Sequence, residues 1–337
     1  MKMKKLLLTL ITPLLLTGCN NQTHANVGIL YCSGEANSLY QVNVVKEELE
    51  KLGLSTRLMS FSNSSDIATV LRGSIDKVDA LYIPTDNQCA DNAGIIDSIA
   101  RAKKKPVFAG EEGICRKAGA ITLSISYYNI GVTTGTMAID VLLGKRNIAE
   151  MPIEYDENPV KKYNASICND LGIVPPEGYI ELDADGSGAS SLDVEFQNVE
   201  NRKFTIGISQ FVAHEALDSA TRGFQDAVKA GLGEDNVTFL VQNAAGQTDM
   251  CTSIANDFVT RGVDLIMANA TPSLQAVAAK TKTIPVLGTS VTEYGVALGI
   301  DDFDGLVGTN VSGTSDLAPL KEQAKMTAEV FASFYNK

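Results

Sequence analysis

Val27-Gly28-Ile29-Leu30-Tyr31 is an apolar run of the length of a buried strand, and the pattern it begins decides the fold. An amphipathic stretch over Ser38 to Leu52 leads to Thr56 to Phe61, then to a helix from about Ser64 and to Val78-Asp79-Ala80-Leu81-Tyr82-Ile83. Another helical stretch, Ile95 to Lys105, ends at Pro106-Val107-Phe108-Ala109-Gly110. Strands alternate with helices, and turn residues close the runs.

The order returns later as Phe204 to Ile208, a helix over 214–230, Val237 to Val241, a helix over 248–261, Val263 to Ala268, a helix over 273–280 and Ile284-Pro285-Val286-Leu287-Gly288. Local words agree as well. Gly28-Ile29-Leu30 matches Gly207-Ile208-Ser209, Val78-Asp79-Ala80-Leu81 matches Val263-Asp264-Leu265-Ile266, and Lys105-Pro106-Val107 matches Ile284-Pro285-Val286. Apolar strands separated by helices predict right-handed βαβ units with a buried parallel sheet between helical layers. The expected fold is α/β, with two doubly wound parallel-sheet lobes joined by a hinge. A chance likeness between generic α/β halves would leave that class unchanged.

A chain of 337 residues exceeds what one core usually serves. Between the halves runs a different region, helical Asn129 to Leu143, then Pro152 to Tyr155 and Lys161 to Gly172. It ends in Asp183-Ala184-Asp185-Gly186-Ser187-Gly188-Ala189-Ser190-Ser191, which reads as a flexible linker. The expected division is a signal over 1–19, a tether over 20–26, an α/β lobe over 27–150 and a crossover with linker over 151–202. A second α/β lobe over 203–320 and a C-terminal hinge helix over 321–337 follow.

Hydrophobic residues at 45% and charged residues at 20% suit a globular chain. The formal charge of -12 is spread along the sequence, and no basic stripe tracks phosphates, so nucleic acid is not an expected partner. Lys2, Lys4 and Lys5 precede the apolar run Leu6 to Leu16, followed by Leu16-Thr17-Gly18-Cys19. That order matches a secretory signal, its apolar run too short to span a bilayer, with an uncleaved anchor or a soluble signal bearing an incidental cysteine as the alternative. It resembles a bacterial lipoprotein signal, which implies lipidation of Cys19 and an exported chain anchored at the outer face of the cell membrane.

Cys32, Cys89, Cys115, Cys168 and Cys251 show no C-x-x-C pair, and no metal site is expected. Export permits a disulfide. Cys89 with Cys115 is the candidate, and five buried or free thiols are the alternative.

In open parallel sheets the ligand lies beyond the carboxyl ends of the strands. Those loops hold Ser33, Glu35, Asn37, Ser38, Thr85, Asp86, Asn87, Glu111 and Glu112 in the first half. In the second they hold Ser209, Gln210, Phe211, His214, Thr271, Pro272, Thr289 and Ser290. Plain helix capping explains many of these residues. Several helix N-termini facing one cleft would also suit a carboxylate. Asp86, Glu111, Glu112 and Asp316 are available for an ammonium group, so the loops together describe an amino-acid-like zwitterion. Phe211, Tyr127 and Tyr128 are placed to flank an aromatic ligand, or else pack against their own lobes.

These residues resemble the ABC-importer substrate-binding protein family that includes tryptophan- and tyrosine-type binding lipoproteins of type I periplasmic-binding fold. The likeness rests on Gly207-Ile208-Ser209-Gln210-Phe211 with His214 and Ala216-Leu217-Asp218, Ala270-Thr271-Pro272, Thr289-Ser290-Val291-Thr292 and Gly313-Thr314-Ser315-Asp316. Ser33-Gly34-Glu35-Ala36-Asn37-Ser38, Pro84-Thr85-Asp86-Asn87 and Tyr127-Tyr128 through Gly131 add to it. It implies cleft residues on the loops above, including Thr314, Ser315 and Asp316. It also implies a monomeric receptor that delivers a small organic solute, an aromatic amino acid by preference, to a permease with a cytoplasmic ATPase. In the family the segment resembling 204–320 comes first; here it comes second, which reads as a circular permutation, natural or constructed, with its joint at 185–191.

An enzyme is not expected. G-x-S-x-G, G-x-x-x-x-G-K-[ST], G-x-G-x-x-G and H-E-x-x-H are all missing, and of the two histidines His24 falls in the tether and His214 in a binding loop. No cofactor is implied. A sensory module that presents its ligand to a receptor, or a receptor for another amino acid or small carboxylate, remains the alternative.

Overall fold

The computed structural model describes residues 26–156, 158–182, 192–199 and 202–335. The lipobox, most of the tether and the Gly-Ser linker lie outside the described residues.

The first half runs β1 (Asn26–Cys32), α1 (Ala36–Lys51), β2 (Ser55–Phe61), α2 (Ile67–Ser74), β3 (Ala80–Ile83), α3 (Asn87–Asp91), α4 (Ala93–Ala102), β4 (Val107–Ala109), α5 (Glu112–Lys117) and β5 (Ile121–Ser124). The middle holds α6 (Tyr127–Leu142), β6 (Glu154–Tyr155), β7 (Val160–Tyr163), α7 (Ala165–Leu171) and β8 (Ile180–Glu181). The second half runs β9 (Phe204–Gln210), α8 (Glu215–Leu232), β10 (Val237–Asn243), α9 (Thr248–Arg261), β11 (Leu265–Asn269), α10 (Thr271–Lys280), β12 (Val286–Val291), α11 (Tyr294–Leu298), β13 (Val311–Ser315) and α12 (Leu320–Tyr335).

Two sheets result. One has the order β2-β1-β3-β4-β5-β7-β8 and is parallel except where β7 meets β5; the other, β10-β9-β11-β12-β13-β6, is wholly parallel. In β1, Leu30 and Cys32 feed one core and Val27, Ile29 and Tyr31 the other, because successive side chains leave opposite faces of a strand. The central strands are buried on both sides, which is why they read as continuous apolar runs and not as alternation. The matched glycines carry the packing: a Cβ on Gly28 would strike Met59, and one on Gly207 would strike the Phe258 ring.

Both sheets reverse winding beside their first strand, at β1/β3 and at β9/β11. Loops on either side of such a switch point diverge and open a crevice at the carboxyl edge.

The chain changes sheets after β5 and after β6, and after β13 it returns to the side of the first sheet. Consequently α6, expected within a lobe over 27–150, packs on α8 beside the second sheet, and the C-terminal α12 packs on α1 beside the first. The α6/α8 crossing is backbone-close. A Cβ on Gly131 would collide with the Ala220 carbonyl, and one on Gly223 with the Tyr128 carbonyl.

All five described cysteines are free and buried. The candidate disulfide is corrected: Cys89 Sγ lies 4.0 Å from the Leu30 carbonyl and Cys115 Sγ 3.5 Å from that of Gly119, two separate thiols on α3 and α5.

Candidate functional site

The first-lobe loops are held together by their carboxylates. Asp86 caps α3 by accepting from the Cys89 N–H at 2.8 Å, and also takes the Cys32 N–H at 2.6 Å and the Ser38 hydroxyl at 2.7 Å. Glu35 accepts from the backbone N–H groups of Asn87 and Gln88, both at 3.1 Å, from Asn87 Nδ2 at 2.7 Å and from Asn37 Nδ2 at 3.3 Å. Burial raises the pKa of both carboxyls, and for Glu35 the neighbouring Asp86 charge raises it further. Glu111 caps α5 through the N–H groups of Gly113 and Ile114.

These contacts redefine several expected ligand residues. Asp86, Glu35 and Glu111 staple loops and fill the N-termini of α3 and α5. Glu112 pairs with Lys162 at 2.9 Å, so its charge is spent within its own lobe. Ser33 is exposed and donates to the Phe61 carbonyl at 3.1 Å. The Tyr128 hydroxyl donates to Asp226 at 3.0 Å, with Arg222 5.8 Å from the ring centroid, an arrangement on the α6/α8 pair.

On the second lobe, Phe211 is buried in the core of its own sheet, which removes it as a stacking platform. Gln210 is committed as well: Nε2 donates to the Val212 carbonyl and to Asp218, and Oε1 accepts from Thr221. Thr289 and Thr314 share a hydrogen bond of 3.2 Å, and the Ser315 hydroxyl donates to the Thr292 carbonyl at 2.8 Å. Pro272 occupies the first turn of α10, where its missing N–H costs nothing. Asp316 accepts from the Thr292 hydroxyl at 2.8 Å and from the Tyr127 hydroxyl at 2.9 Å. Burial raises its pKa, and no cation faces it among the described ion pairs.

The two sets of loops meet. His214 Nε2 lies 3.1 Å from Asn87 Oδ1, Gln41 Nε2 donates to the Thr292 hydroxyl at 3.3 Å, and Gln88 Nε2 donates to the Gly246 carbonyl at 3.4 Å. Arg116 on α5 pairs with Glu215 on α8. Burial, with Lys117 nearby, drives the His214 pKa down to about 3, which keeps the ring neutral.

Six buried polar atoms of these loops have no protein partner: Asn37 Oδ1, Ser209 Oγ, His214 Nδ1, Asn269 Oδ1, Thr271 Oγ1 and Ser290 Oγ. Each would cost about 1–3 kcal/mol if left unpaired in a dry interior. They come from both lobes, and Ser290 sits at a positive φ of 53° near the carboxyl end of β12, where the pairing with β13 shifts register. Such a set suits a polar molecule. A metal is not what it suits, since no group of three His, Cys, Asp or Glu side chains converges among the described residues.

Sequence reasoning missed Gln41 and Asn269, and quoted Thr292 within a loop without singling it out. Gln41 follows Asn37 by four residues on α1, so polar residues recur on a face that is otherwise apolar and buried. That recurrence was the available signal.

A sequence model of the family described as ABC transporter substrate binding protein matches residues 23–184 and 205–334, most of the chain. The chain is similar to the tyrosine-binding protein of Clostridioides difficile (strain R20291), at 30% identity over 127 residues. That match covers 38% of this chain and 36% of the relative, about a third of its length. A carbohydrate transporter solute-binding protein from Agrobacterium radiobacter, solved with D-arabinose, superposes with a TM-score of 0.60 at 14% identity, over 94% of this chain and 90% of that one. An ABC domain from Streptococcus pneumonia in complex with L-Trp is 29% identical over 47% of this chain and 56% of its own, with a TM-score of 0.44.

Proposed function

The chain belongs to the ABC-transporter substrate-binding protein family, and on that premise we propose that it is the extracytoplasmic receptor of an importer, capturing an aromatic amino acid between its lobes. The single observation that carries this reading is the set of partnerless buried polar atoms shared by both lobes. Their chemistry divides. Thr271 Oγ1, with the uncapped N-terminus of the ten-residue α10, and the hydroxyls of Ser209 and Ser290 suit the ligand carboxylate. Asp316, oriented by Tyr127 and Thr292, suits the ammonium group. The similarity to a tyrosine-binding protein favours an aromatic side chain.

The receptor acts without catalysis, passing its ligand to a permease driven by an ATPase. Cys19 carries the lipid that holds it at the membrane. The break between the two matched family segments, at 185–204, takes in most of the Gly-Ser stretch, which in this proposal is the joint of a permuted lobe order.

A thermal-shift panel of amino acids and sugars tests the ligand class. Saturating aromatic amino acids should raise Tm by several degrees through preferential binding to the folded state, and pentoses and hexoses should not. A rise with sugars alone would end the amino-acid reading. Cys19→Ser should move the protein from the membrane to the soluble fraction with its binding intact; retention at the membrane would contradict lipidation.

A further inference from the structure

Hydrogen-bond polarity can be followed outward from Glu35. A carboxylate oxygen only accepts, so Asn87 and Asn37 must both turn their Nδ2 groups toward it, at 2.7 and 3.3 Å. Glu35 Oε2 takes three of the four donors that reach this side chain, so it is an acceptor even when the carboxyl is protonated. Asn37 Nδ2 also donates to the Thr85 carbonyl at 3.0 Å, which fixes that amide a second time.

With both amides fixed, their Oδ1 atoms face away and accept. Asn87 Oδ1 meets His214 Nε2 across the lobes, so Nε2 carries the ring hydrogen. The neutral ring then has a bare lone pair at Nδ1. His214 Nδ1 and Asn37 Oδ1 are thus acceptors by construction, both buried and both without a protein partner. They belong to opposite lobes, and one carboxylate orients both.

We propose that Glu35 sets the polarity of the cleft, so that Asn37 Oδ1 and His214 Nδ1 read an N–H or O–H donor group of the ligand. Glu35 is a positioning residue; Asn37 and His214 touch the ligand. The cleft would accordingly discriminate by donor count: a ligand with an ammonium, phenol or indole N–H placed there is accepted, and an isostere with that donor masked leaves two buried acceptors unpaired. This deepens the proposed function and rests on its placement of a ligand between the lobes.

The test combines tautomer spectroscopy with binding. Nitrogen-15 NMR of the full chain, with His24→Gln removing the other histidine, reports which ring nitrogen of His214 bears hydrogen. The Nε2–H tautomer is expected in the otherwise native protein, with and without L-tyrosine. Glu35→Leu, which removes the acceptor that holds the Asn87 and Asn37 amides, should let the Asn87 amide turn and shift the ring toward Nδ1–H, whereas Glu35→Gln, whose carbonyl oxygen can take the three-donor position, should keep the Nε2–H tautomer. A native Nδ1–H tautomer, or a folded Glu35→Leu protein with an unchanged spectrum, would overturn the proposal.

Calorimetry then compares L-tyrosine, its O-methyl ether and its N-acetyl derivative on the native protein and on His214→Phe. L-tyrosine should bind the variant about tenfold more weakly, the effect of one lost hydrogen bond. The probe masked in the donor that His214 reads should show no such loss; equal losses for all three would contradict the proposal. If no probe binds either protein, the aromatic reading fails, and the tautomer spectra still decide the polarity.

Discussion

Glu111 is a carboxyl on which burial and hydrogen bonding pull in opposite directions. Two N–H groups of α5 favour its charged form, yet burial prevails and pushes its pKa up from 4.5 to about 7. The folded state therefore holds a proton that the unfolded chain has released. The associated stability is full below pH 4.5 and is lost as pH rises through about 7. His214 acts with the opposite sign: its stability is full above pH 6.5 and falls away as pH drops toward 3. Relative to Glu111→Gln, the native protein should thus lose stability between about pH 5 and pH 8, read as the difference in chemical-denaturation midpoints. A difference constant across that range would show that the carboxyl does not take up the proton. That Ser, Thr, Asn and Asp fall on the loops at the carboxyl edges of the strands was legible in the sequence, because they follow apolar runs there. Their orientations were not. Tyr127 and Tyr128 are adjacent on a helix and so diverge by about 100°, sending one hydroxyl to Asp316 and the other to Asp226.

The strands and helices of both halves fall close to where alternation put them; the helix expected over 248–261 is α9 to the residue. Glycine accounts for part of this, since Gly262 at φ 63° ends α9 in the left-handed region that glycine occupies without penalty. What alternation does not encode is which sheet covers a helix, and α6 is the case in point. Its seat on α8 depends on two backbone approaches, at Gly131 and Gly223, that sequence periodicity does not distinguish from ordinary small residues. Gly223→Ala should raise helix propensity by nearly 1 kcal/mol and still destabilise the protein by about 1–3 kcal/mol, because its Cβ meets the Tyr128 carbonyl. Chemical denaturation measures this directly. A stabilised variant would mean that α6 and α8 sit farther apart than described.

At the scale of the whole molecule, two sheets present their switch-point loops to one another, and polar contacts span the gap. Polar contacts of this kind suit the proposed receptor, whose ligand would supply much of the closing energy. In our proposal that ligand is an aromatic amino acid, and the chain's own composition offers a clean readout. It contains no tryptophan, so the fluorescence of added L-tryptophan is the ligand's alone. Titrating a fixed L-tryptophan concentration with protein should give a saturable rise in polarisation, reversed by excess L-tyrosine. Unchanged intensity and polarisation at millimolar concentrations, for both ligands, would contradict the account.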